Sequence, residues 1–211
     1  LKKSIHTNSK VEIDVRVFIV NYGMGNLRSV YNAVKRVGGE PVIVNNPEEL
    51  EEGRIIVPGV GAFGKGMKNL EPFLPKILQT VDSGFPVLGI CLGLHIMLEG
   101  SEEAPEARGM GLIKGKVVKI RTNLPLPHIG WSRVKVLKDC PLFREVGEGY
   151  AYFVHSYHAL PEEDVIVATT DYGERVTAAV WRENLFGVQF HPERSGPYGL
   201  RILKNFVELK W

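Results

Sequence analysis

Short apolar runs alternating with helix-patterned stretches constrain this 211-residue chain more than any other feature of its sequence. Val15–Val20, Pro41–Val44, Arg54–Val57 and Val87–Ile90 are apolar at almost every position, and most are closed by glycine, proline or asparagine. A strand of that kind has both faces buried, which a parallel sheet covered by helices on each side provides. Helices are expected between them. One is capped by Asn26, carries Leu27, Val30, Val34 and Val37 on one stripe, and ends at Gly38 and Gly39. Another runs through Phe73, Ile77, Leu78 and Val81, and a third over Leu92 to Leu98.

The second half changes character. Lys116–Ile120, Arg133–Val136, Tyr150–Tyr157, Val165–Thr169, Val176–Trp181 and Leu185–Phe190 read as strands with little helix between them, so antiparallel hairpins are expected on or beside the sheet. Gly199–Leu209 closes as a helix with Leu200, Leu203, Phe206 and Val207 inward. The fold class is therefore α/β: a mostly parallel open sheet with helices on both faces and antiparallel strands in the C-terminal half. Residues 1–14 are polar and lack a helical stripe; they are expected to be a poorly ordered extension preceding one domain at 15–211. No run approaches the ~18–20 apolar residues of a membrane span. The balance of 26 basic to 24 acidic residues leaves no electrostatic footprint for nucleic acid. Two cysteines without a secretory signal point to a reducing, cytoplasmic setting.

Gly89-Ile-Cys-Leu-Gly93 sits where the fourth strand meets the next helix and has the G-x-S-x-G spacing of a nucleophile elbow, with Cys91 in place of serine. Flanking glycines permit a sharp turn that holds the nucleophile in a strained conformation. A helix beginning there would favour a thiolate, and the Leu92 N–H would be free to receive an oxyanion. The pentapeptide alone is equally consistent with a small buried hydrophobe. Cys140, before Pro141 in a polar loop, has no such setting and is expected to be inert.

Among six histidines, His191 follows the apolar strand ending at Phe190 and precedes Pro192 and Glu193. The proline biases it to extended backbone, where residues two apart project to one side, so Glu193 can orient its imidazole. His155 reads instead as a hydrogen-bonded core residue. Gly59-Val-Gly-Ala-Phe-Gly64 matches G-x-G-x-x-G in form, but it follows the third strand and has no ribose-binding acid after the next one. Its glycines are better read as bringing backbone N–H groups toward an oxyanion opposite the elbow.

Together these residues resemble the class I (triad) glutamine amidotransferases. Several stretches resemble in particular the glutaminase subunits of imidazole glycerol phosphate synthases: Asn21–Asn26, Pro58–Gly61 with Phe63 and Gly64, Gly100–Pro105, Pro127–Trp131 and Tyr152–Tyr157. The resemblance implies that Cys91 attacks the glutamine carboxamide, that His191 moves the protons and that Glu193 orients it. It implies an oxyanion hole from Leu92 and the Val60–Gly61 strand, and a substrate site of Gly61, His95, Ser156 and Tyr157. It also implies no cofactor and no metal. Ammonia would pass to a synthase partner with a (β/α)8 barrel, across a surface containing Asn26, Trp131, Tyr152 and Arg194. The Gly-Val-Gly strand would be the seat of activation by that partner.

Two residues depart from the family pattern. His95 stands where glutamine is usual, and an imidazole cannot copy a carboxamide's paired donor and acceptor, so weaker glutamine binding with intact chemistry is expected. Arg194 replaces the usual lysine. The alternatives are an amidotransferase serving another acceptor, a catalytically silent module of the same fold, and a thiol peptidase or other hydrolase.

Overall fold

A computed structural model describes residues 15–210; the extension expected at residues 1–14 lies outside them. In chain order the elements are β1 (Val15–Val20), α1 (Leu27–Arg36), β2 (Gly39–Val44), β3 (Arg54–Val57), α2 (Phe63–Leu70), α3 (Leu74–Asp82), β4 (Val87–Ile90), α4 (Leu92–His95), β5 (Gly100–Ser101), β6 (Ala104–Arg108), β7 (Gly115–Lys119), β8 (His128–Val136), β9 (Gly149–His155), β10 (Tyr157–Pro161), β11 (Ile166–Asp171), β12 (Arg175–Arg182), β13 (Leu185–Val188) and α5 (Gly196–Val207).

Nine strands form one sheet in the order β2-β1-β3-β4-β13-β12-β11-β8-β9. The half from β2 to β13 is parallel, and from β13 to β9 every pairing is antiparallel. Alternation within β1 explains its apolar run from Val17 to Val20. Val17 and Ile19 pack with Val34 of α1 and Phe206 of α5 on one face, while Phe18 and Val20 pack with Phe63, Leu70 and Ile77 of α2 and α3 on the other. Asn26 caps α1 as expected, accepting from the Ser29 N–H at 3.3 Å.

Four other strands, β10-β7-β5-β6, make a second sheet against the α2 and α3 side. Two expectations are corrected here. The segment 150–157 is not one strand: it breaks at Ser156, sending β9 to the large sheet and β10 to the small one. The helix after the elbow ends at His95 and not at Leu98, because Met97 and Leu98 donate to carbonyls only three residues back. Among the described residues no helix is long and apolar enough to cross a membrane.

Candidate active site

Three turns meet at the carboxyl ends of β3, β4 and β13, where parallel sheets present their ligands. Cys91 holds φ 52° and ψ −106°, a conformation that L-residues rarely adopt, so the elbow carries the strain its glycine spacing predicts. Packing requires both glycines: a Cβ on Gly93 would stand 1.8 Å from the Val57 carbonyl oxygen, and one on Gly89 2.5 Å from the Gly93 backbone. The Cys91 N–H donates to Val188 O at 2.8 Å, fastening the turn to the strand that delivers His191. The helix that begins at the elbow is a single turn, shorter than expected.

Cys91 and His191 are both buried, 5% and 4% exposed. Nδ1 of His191 lies 2.9 Å from Oε1 of Glu193, whose side chain is almost wholly buried. Nε2 of His191 makes no hydrogen bond of good geometry, yet Cys91 is close enough to act on it. Burial alone would depress the imidazole; the Cys91 sulfur and the Glu193 carboxylate outweigh it and push its pKa up to about 10. The backbone fixes the ring as well: His191 N–H donates to Tyr152 O at 2.9 Å, and the Ser195 hydroxyl donates to His191 O at 2.6 Å while accepting from Tyr152 N–H.

The other described histidines are committed elsewhere. His155 Nδ1 bonds Tyr157 O at 2.8 Å and its Nε2 meets His128, so it is the core residue expected. Cys140 is buried, and burial pushes its thiol up to about 11.

The Leu92 N–H is not free. It donates to Gly59 O at 3.3 Å, a correction to the expected oxyanion hole. Gly59 allows this approach, since a Cβ there would sit 2.9 Å from Leu92 Cβ and 2.3 Å from the Tyr22 hydroxyl. Gly61 has φ +116°, and Val60 is exposed.

A cavity of about 530 Å³ opens beside Cys91, lined by Val60, Gly61, Leu92, His95, Ser156 and Tyr157 among others. All four expected substrate-site residues therefore meet there. His95, however, turns Nε2 away to Gln189 Oε1 at 2.7 Å. Glu103 supplies the only carboxylate among the described lining residues, and also accepts from Phe63 N–H at 2.8 Å. Only its membership of the Gly100–Pro105 stretch pointed to it from sequence. A larger hollow of about 1040 Å³ lies by Val15, Arg54 and Leu209 and holds none of these groups.

Trp131 and Tyr152 are cross-strand neighbours on β8 and β9, their rings edge-on with centroids 6.4 Å apart. The Arg194 guanidinium lies 4.4 Å from the Tyr152 ring centre. Three of the four expected interface residues thus form one cluster, with Trp131 56% exposed. Asn26 is exposed at the start of α1.

The glutamine amidotransferase class-I family model matches residues 18–209. The chain belongs to the class-I glutamine amidotransferases. Among its relatives, the imidazole glycerol phosphate synthase subunit HisH of Methanocaldococcus jannaschii is 49% identical over 90% of this chain and 98% of its own length. The subunit of the same name from Thermococcus kodakarensis is 48% identical over 92% of this chain and all of its own. The amidotransferase thus falls with the HisH subunits within its family. Its fold matches that of a solved glutamine amidotransferase (TM-score 0.72, 21% identity, 90% of this chain and 97% of that one). It matches PurLQS from Thermotoga maritima equally well (TM-score 0.72, 20% identity, 92% and 98%). At those identities the likeness speaks for the fold alone.

Proposed function

We propose that this amidotransferase is the glutamine-hydrolysing subunit of an imidazole glycerol phosphate synthase of histidine biosynthesis, with residues 15–211 acting as one unit. The observation that carries the reading is a strained cysteine at the wall of a cavity, backed by a buried His191–Glu193 pair. The relatives' shared name supports the choice of synthase.

Cys91 sulfur attacks the carboxamide carbon of glutamine, forming a C–S bond and a tetrahedral oxyanion. His191 Nε2–H protonates the departing nitrogen, the C–N bond breaks, and ammonia leaves a glutamyl thioester. The now neutral imidazole takes a proton from water as it attacks the thioester; the C–S bond breaks and glutamate is released. Glu193 stabilises the imidazolium and fixes its tautomer. The Leu92 N–H joins the oxyanion hole once the Gly59 carbonyl moves off it, so a rotation of the Gly59–Val60 peptide is the activating step. That rotation also turns the Val60 N–H inward. Each donor gained is typically worth about 3 kcal/mol in the barrier. Glu103 receives the substrate ammonium; Gly61, Ser156 and Tyr157 hold the rest of the amino-acid end, with His95 beside them.

Ammonia then passes to a (β/α)8-barrel synthase, which completes imidazole glycerol phosphate and releases aminoimidazole carboxamide ribotide. Trp131, Tyr152 and Arg194, with Asn26, form the docking face. The test is glutamine hydrolysis by the chain alone, with the barrel subunit, and with that subunit plus its nucleotide substrate. Hydrolysis should be slow alone and rise steeply with both additions, and a diazoketone analogue of glutamine should label Cys91. Labelling without any response to the barrel would point to another acceptor; no label at all would favour a silent module.

A further inference from the structure

One side chain against the sulfur has no part in that scheme. Gln189, fully buried, follows β13 and precedes His191 by two residues. Its Nε2 lies 3.7 Å from Cys91 Sγ and its Oε1 lies 2.7 Å from His95 Nε2. We propose that Gln189 is a catalytic hydrogen-bond donor to the Cys91 sulfur, its carboxamide held in the donating orientation by His95.

The argument is one of donor counting. Buried His95 has its pKa pushed down to about 4, mainly by desolvation, so it is neutral near pH 7 and carries a single N–H. With the proton on Nε2, His95 donates to Gln189 Oε1, and the Gln189 NH2 must face the sulfur. The reversed amide would set a carbonyl oxygen against sulfur lone pairs. Orientation matters because the surroundings of the sulfur are mixed: the Val154 carbonyl, 4.0 Å away, favours a protonated thiol, and a donating amide favours negative charge. Other titratable groups facing it are His191 after β13 and Tyr22 after β1; His155, Glu103 and Arg194 line the adjoining cavity. Among the described residues Gln189 donates a hydrogen bond to the sulfur, while His191 Nε2 lies close to it without hydrogen-bond geometry. The histidine at 95, where the family has glutamine, then serves the nucleophile in addition to the substrate.

The inference rests on Cys91 as the nucleophile, and the experiment separates the two. The rate of Cys91 alkylation by iodoacetamide is followed against pH in the full chain, with peptide mapping to distinguish Cys140. In Gln189→Met the midpoint should rise by about one pH unit, tenfold less thiolate at a fixed lower pH, and kcat for glutamine should fall while KM holds. His95→Leu should shift the curve the same way by less, and His95→Gln, which restores a donor, by less again. The double variant Gln189→Met with His95→Leu should match Gln189→Met alone. Superimposed curves for wild type and Gln189→Met, or shifts that add in the double variant, overturn the proposal. Should Gln189→Met fail to fold, a His95→Leu curve identical to wild type overturns it. A wild-type Cys91 that takes no label from the diazoketone analogue defeats the nucleophile reading, and this inference with it.

Discussion

At the scale of single residues, the His191 ring is held as firmly through its own peptide as through Glu193. Ser195 bridges His191 O and Tyr152 N–H, so Ser195→Ala loses both contacts without touching the imidazole. Glutamine hydrolysis by the activated complex should fall about tenfold in kcat with KM little changed, since misplacing a proton-transfer group is felt in the transition state; steady-state kinetics checks this. Tyr22 presents the opposite case. Its hydroxyl is buried without a partner, and burial raises its pKa. Tyr22→Phe should therefore stabilise the fold by about 1 kcal/mol, the scale of an unsatisfied buried polar group, as read by denaturant unfolding. Cys91, His191 and Glu193 were legible because the proposed chemistry fixes their near neighbours: glycines two away on each side, and a carboxylate two residues beyond a pre-proline histidine. The roles of Gln189, Ser195 and Glu103 were not, because each meets a group that a distant part of the chain brings to it: the Cys91 sulfur, the Tyr152 N–H and the Phe63 N–H. The blocked Leu92 N–H was illegible for the same reason.

At the scale of elements, Arg54 begins a strand whose other residues are all buried and apolar, and is itself buried. It donates through Nε to Phe206 O at 3.3 Å and through Nη2 to Leu209 O, satisfying carbonyls at the end of α5. Burial lowers its pKa to about 10, still charged at neutral pH. Arg54→Leu should cost about 2 kcal/mol by removing both guanidinium donors, which leaves Phe206 O only the long Leu209 N–H contact, with hydrogen exchange quickening first in α5; loss spread evenly over the chain would contradict this. The parallel half of the sheet was readable because β3, β4 and β13 bury both faces and so carry no alternation to misread, and the edge strand β2 is short and apolar beside them. The small sheet was not. β5 has two residues and β6 reads Ala-Pro-Glu-Ala-Arg, with neither the length nor the β-branched content that marks a strand. β7 gives β5 its pairing and β5 in turn gives β6 its own, so neither rests on its own composition.

At the scale of the whole molecule, four buried histidines join α4, the β8–β9 edge of the large sheet and β10 of the small one. Their proton order is determined. His155 Nδ1–H donates to Tyr157 O, leaving Nε2 to accept from His128 Nδ1–H, whose own Nε2 accepts from the Ser132 hydroxyl. His158 Nδ1 accepts from Thr177 N–H. Burial is the leading cause that lowers the pKa of all four, to about 4 for His95 and about 3 for His155. A histidine depressed in the folded state binds its proton more readily when unfolded, so its stabilising contribution is complete above about pH 6.5 and drains away as pH falls toward the folded value. His191 runs the other way. Raised to about 10, it contributes fully below pH 6.5 and loses that contribution as pH climbs through 10. Stability should therefore peak near neutrality, with the acid side governed by the seam between the sheets and the alkaline side by the site. His155→Gln should lower the thermal midpoint at every pH and also flatten the acid limb between pH 6.5 and 4.5 by close to one proton, about 1.4 kcal/mol per pH unit. Parallel midpoint curves for wild type and variant would mean that His155 already takes up its proton in the folded chain.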